Sequence, residues 1–187
     1  RRSRTGIELS VVDARRMERE PRRLRWYELR NGYKLLAGDP RLLAASARFE
    51  AKDIDPRDFA DLVMGRGAGL ILNDIVRAQG PLNGERRDLV LKNAARAVIA
   101  YGDALLFHQG AYHWSYLRRR ARMTATSIKV TDEFRSLYEW AMNYRFHGDA
   151  ISGARLMTVI ENGEGRRAMS ALHLELERLR FGGRPMV

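Results

Sequence analysis

The spacing of apolar positions changes near residue 55. Upstream, short β-branched and aromatic runs alternate with polar breaks. Residues 6–12, GIELSVV, have β-branched residues after a glycine and before Asp13, a pattern that predicts a short strand. Further on, LRWYELRNGYKLLAGDP places two apolar-aromatic runs on either side of Asn31-Gly32, a dipeptide suited to the positive φ angles of a tight hairpin turn. Strands are therefore expected near 24–30 and 33–37. Gly38-Asp39-Pro40 then starts a helix, with Asp39 as its cap. From Asp55-Pro56 onward the period becomes helical, and helices are expected near 56–79, 84–109, 131–146, 149–161 and 165–181. Thr131 caps the third of these, and Met169, Leu172, Leu176 and Leu179 share one face of the last. The fold class that follows is α+β, mostly α: a short N-terminal strand and β-hairpin in 1–40, then an antiparallel helical bundle in 41–187.

Glycines inside the helical segments need a reason, because each costs about 1 kcal/mol relative to alanine. Gly65 and Gly69 lie four apart in the helix expected over 56–79, and Gly102 interrupts the apolar stretch VIAYGDALLFHQG. A close crossing in which Gly102 faces Gly65 or Gly69 would account for all three. Asp103, beside Gly102, sits where a carboxylate needs a partner.

Composition narrows the function classes. The 187 residues contain no cysteine, which excludes disulfides, thiolate metal sites and cysteine nucleophiles, and fits a cytoplasmic location. No run is apolar enough to span a membrane. The chain opens RRSRT without a methionine, so a longer parent protein is expected. There are 34 basic residues against 23 acidic ones, a formal charge of +11, and only four of the basic residues are lysines. Arginine pairs bidentately with phosphate, so nucleotide or nucleic acid is one reading of this excess. The arginine bias of a GC-rich genome is the other. The four histidines show no His-x-x-x-His spacing, and no Gly-Lys-Ser or Gly-Lys-Thr phosphate loop is present.

One helix carries the clearest chemistry. Lys92, Arg96 and Asp103 are separated by four, seven and eleven residues, which places them on one face of the helix over 84–109. Tyr112, Trp114 and Tyr116 follow, just ahead of Arg118, Arg119, Arg120 and Arg122. Rings beside guanidinium groups can stack a base and hold phosphates. Asp103 is alternatively a structural partner for Lys92, Arg96 or an arginine on another helix.

The order of these features, an IELSVV strand, a YELR hairpin ending in AGDP, and helices bearing GDALL and AY after Lys92, resembles the C-terminal portion of polymerase-β-like nucleotidyltransferases with a helical substrate-binding domain. The resemblance implies that 1–40 is the edge of the catalytic α/β core and that 41–187 is the substrate-binding bundle. It matches Glu8 to the family's third carboxylate, which would be catalytic and ligate Mg²⁺. The Gly-Ser and Asp-x-Asp motifs are absent from this chain, so the resemblance implies that they lie upstream of Arg1 or that the chain is a relic without catalysis. Lys92, Arg96 and Asp103 would then meet a nucleoside triphosphate, and Tyr112, Tyr116 and Arg118 the acceptor, a small molecule or protein of unspecified identity. A HEPN-like RNA-binding helical module and a non-catalytic, homodimeric interaction domain are the alternatives.

Overall fold

The computed structural model of the chain describes residues 22–39 and 49–180, together with positions 11, 13, 15 and 41. The described residues form seven α-helices and no strand: α1 (Leu24–Gly32), α2 (Pro56–Ala78), α3 (Gly84–His108), α4 (Tyr116–Met123), α5 (Asp132–His147), α6 (Ala150–Glu161) and α7 (Glu164–Arg180), with a 3₁₀ turn at Ala51–Asp53. None of these helices is long and apolar enough to cross a membrane.

The expected α+β class is therefore corrected to all-α. The hairpin expected over 24–37 is the helix α1 followed by irregular chain. Its apolar residues have a helical rather than an alternating use, because Trp26, Tyr27 and Arg30 are buried together on one side. Asn31 makes no tight turn. Its side-chain amide donates to the Tyr27 carbonyl at 2.8 Å, one helical turn back. Gly32 is the last residue of the helix, and the Trp114 ring lies where its Cβ would be. The strand expected at 6–12 lies outside the described residues except for Val11, which is exposed and in no regular element. Asp39 accepts from the Arg41 backbone N–H at 2.8 Å, while the rest of the helix expected after it lies outside the described residues.

The five long helices begin and end close to where the apolar period places them, and their caps explain why. Asp55, Asn83, Thr131 and Asp149 each accept from a backbone N–H of the first turn they precede, and Pro56 occupies the first position of α2. Gly148, at φ 64°, closes α5 in a left-handed conformation that an L side chain adopts at a cost. The short helix α4 has no counterpart in the sequence reading, which took 112–122 as an aromatic-basic segment.

Helix α3 is the axis of the bundle and touches α2, α4, α5, α6 and α7. Every residue from Ala97 to Leu106 is buried, so this stretch is enclosed on all sides. On the α2 side, Asn73 donates to the Val90 carbonyl at 2.9 Å and accepts from Asn93 at 3.0 Å, satisfying a buried amide at the crossing. Gly69 lies against the Asn93 side chain and Gly67 beneath the Tyr101 hydroxyl.

The expected meeting of Gly102 with Gly65 or Gly69 does not occur. Gly65 has open space at its Cβ position, whereas Gly102 faces α5, where a Cβ would overlap the Tyr138 ring. Gly102 makes room for one aromatic ring rather than for a second backbone. Consequently Gly102→Ala is expected to lower stability by roughly 1–3 kcal/mol through overpacking, while Gly65→Ala leaves it unchanged or higher; urea denaturation of both variants checks the contrast.

Candidate anion-binding site

Gly102 admits Tyr138 to the side of Asp103, and a buried polar chain begins there. Tyr138 donates its hydroxyl to Asp103 Oδ1 at 2.9 Å, and Arg119 of α4 pairs with Asp103 Oδ2. Arg119 is 1% exposed and Asp103 4%. The same guanidinium donates to the Tyr112 hydroxyl at 3.2 Å and to Glu28 of α1 at 3.3 Å, and Tyr112 in turn donates to Glu28 Oε1 at 2.7 Å. Its plane lies over the Tyr116 ring, 3.9 Å from the centroid. Its Nε–H is buried without a hydrogen-bond partner. One arginine thus ties together α1, α3, α4 and the segment between α3 and α4.

Burial pushes the Asp103 carboxyl up to about 6, against the opposing pull of Arg119 and the Tyr138 hydroxyl. Burial also opposes charge on Arg119, but Asp103, Tyr112 and Glu28 together hold it above its ordinary value. At neutral pH the pair is ionised. Burial likewise raises the Tyr138 hydroxyl, and the adjacent Asp103 charge adds to this, so Tyr138 remains a donor.

Above this chain lies a cavity of about 380 Å³, whose lining includes Glu28, Asp103, Tyr112 and Arg119. Arg66 of α2, Arg96 of α3 and Arg145 of α5 also line it. All three are exposed, and none makes an ion pair or hydrogen bond among the described residues. Tyr116 and Phe146 stand at the rim with ring centroids 4.1 Å apart, each about two-fifths exposed. The two acids of the cavity are both within bonding distance of Arg119, so its net charge is positive and its unpaired charges are cationic. The geometry suits an anion with an aromatic body.

Of the residues expected to form a site, Arg96, Asp103, Tyr112 and Tyr116 come together at this cavity. Asp103 serves as the structural partner of an arginine on another helix. Lys92 and Arg118 are exposed and do not line the cavity, and Glu8 lies outside the described residues. Lys92 precedes Arg96 by a full turn of α3, so a common face did not bring it to a common site. Arg119 was visible in the sequence as one of four arginines. Its place four residues before the apolar Met123 marks it as the inward one, since both are buried on α4. Glu28, Arg66, Arg145 and Phe146 had no sequence signal, because only tertiary packing brings them close.

Among the described residues no group of three or more His, Asp or Glu side chains is arranged to hold a metal ion. The cavity's two carboxylates are both taken by Arg119, and Glu8, where the resemblance places Mg²⁺, lies outside the described residues. Comparison with protein-family models, curated proteins and solved structures finds no match.

Asp103→Asn removes the more buried of the two carboxylates that compensate Arg119 and leaves Glu28, so a loss of roughly 1–3 kcal/mol is expected by urea denaturation at pH 7. The pH dependence has a definite sign. A carboxyl raised from 3.8 to about 6 on folding contributes stability that is present below the unfolded value and lost as pH rises through the folded one. The stability gap between the parent chain and the Asn variant should therefore widen as pH falls from 7 to 4.

Proposed function

We propose that this chain is a phosphate-holding helical domain of a nucleotide-handling protein. The observation that supports it is the convergence of Arg66, Arg96 and Arg145 from three separate helices on one cavity, with no acid of their own among the described residues. Three unpaired guanidinium groups lining one cavity repel one another, an arrangement that an anionic ligand relieves. Guanidinium pairs bidentately with phosphate, and the Tyr116–Phe146 pair offers a base an aromatic surface at the rim. The volume falls at the lower end of small-molecule pockets, suited to a mononucleotide rather than to a duplex.

In this reading the described residues bind, and any transfer of a nucleoside monophosphate falls to residues outside them, Glu8 included. Mg²⁺ and an acceptor belong to that part of the proposal. The bundle's own task is to fix the phosphates and hold the base against the rim.

Calorimetric titration of the chain with ATP should give saturable binding. Arg96→Ala and Arg145→Ala should each raise Kd about tenfold or more, the loss of one charge-assisted hydrogen-bonding group. Lys92→Ala, at an exposed position away from the cavity, should leave Kd unchanged. Single-stranded RNA titrated in parallel separates the readings: binding of RNA but not ATP, lost in the same arginine variants, would replace the nucleotide assignment with an RNA-binding one.

A further inference from the structure

A second cavity lies on the other side of α3. Ala94, Val98 and Tyr101 line it, whereas Arg96, Ala100 and Asp103 line the anion site, and at 3.6 residues per turn these two sets occupy roughly opposite faces of the helix. Its volume is about 370 Å³. The walls are largely apolar, with Leu70 from α2, Leu137 from α5, Leu156 and Val159 from α6, and Met169 from α7. It differs from the anion site in having a largely apolar interior, with its charged groups at the edge.

Those polar groups are specific. Arg166 of α7 reaches across to Asp74 of α2 at 2.7 Å, bridging the mouth, with both side chains at least half exposed. Arg77 donates to the Ile160 and Glu161 carbonyls at 3.2 and 3.4 Å, which fixes its guanidinium at the end of α6. The rim thus carries two cations against one carboxylate. Arg166 uses one nitrogen for Asp74, and a guanidinium has five N–H donors, so several remain. Deeper in, His173 Nδ1 is buried with no hydrogen-bond partner. Asn73, in contrast, is already engaged by Val90 and Asn93.

We infer that this cavity binds a small amphiphilic carboxylate, its apolar body among the leucines and its carboxylate at Arg166. An apolar body in a space of this size gains dispersion contacts with the leucines and Met169 of its lining. The surplus cation at the mouth selects an acid over an alcohol of the same length. The site is independent of the nucleotide proposal, since it shares no lining residue with the other cavity.

Decanoate and decanol, two probes with the same chain and different heads, test it by calorimetry and thermal melting on the whole chain. Decanoate should bind saturably at one per chain and raise the Tm. Val159→Phe, which fills the cavity from a half-buried position, should abolish binding; Ser170→Trp, at the exposed rim, should do so too and serves if the phenylalanine variant melts early. Arg166→Gln should weaken decanoate roughly fivefold and leave decanol unaffected. Absence of saturable decanoate binding, or binding that survives both filling variants, would overturn the site. Decanol binding as tightly as decanoate would overturn the assignment of a carboxylate.

Discussion

Burying Asp103 and Arg119 against each other is the constraint on which the bundle's arrangement depends. Each charge alone would cost several kcal/mol to desolvate, and the pair gains little net stability over a well-packed apolar equivalent. Its consequence is positional. Arg119 has to lie on the inward face of α4, Tyr138 has to reach Asp103 from α5, and Glu28 and Tyr112 have to accept from the guanidinium's other N–H groups. Gly102 follows from the same requirement, since any side chain there displaces the Tyr138 ring. The glycine cost and the buried carboxylate cost, adjacent in sequence, are two parts of one arrangement.

The arginine excess divides once the structure is considered. Arg77, Arg86, Arg122 and Arg135 spend their guanidinium groups on backbone carbonyls at helix ends and in the loops between helices. Arginine suits this task because its planar fork satisfies two acceptors at once, where lysine would be a point charge. Arg120 pairs with Glu139, and Arg119 with Asp103 and Glu28. What remains at the anion cavity is Arg66, Arg96 and Arg145. A high formal charge therefore does not tell where charges lack a partner, whereas the structure places three such arginines among the described residues, from separate helices, at one cavity.

The bundle was legible because caps and apolar period agree. Pro56 follows Asp55, Thr131 precedes two acids, and Gly148 ends α5, so these boundaries are local properties. The α1 segment was misread for a physical reason: aromatic residues and Asn-Gly favour a hairpin locally, but packing of Trp26 and Tyr27 on one side overrides that preference. The site was half legible. Asp103 in an apolar helix announces that a partner exists, yet the only sequence cue to which of Arg118, Arg119, Arg120 and Arg122 it is comes from the spacing to Met123. That choice depends on the phase of α4, a helix of eight residues with one apolar marker at Met123.

The phase of α3 decides more than the ion pair. Because Ala97 to Leu106 is buried all round, this helix cannot have a polar face and an apolar face of the ordinary amphipathic kind. Its polarity is instead local: Asp103 is satisfied by neighbours and Arg96 reaches the surface, while Ala94, Val98 and Tyr101 back onto apolar space. A central helix of this kind separates two chemically different cavities by the width of its own backbone. Changing the rotation of α3 would disturb both, since Tyr138 at Gly102 fixes one side and Asn73 at Val90 and Asn93 fixes the other. The buried ion pair and the buried amide therefore do the same job from opposite faces: each gives a featureless apolar helix a unique angular setting.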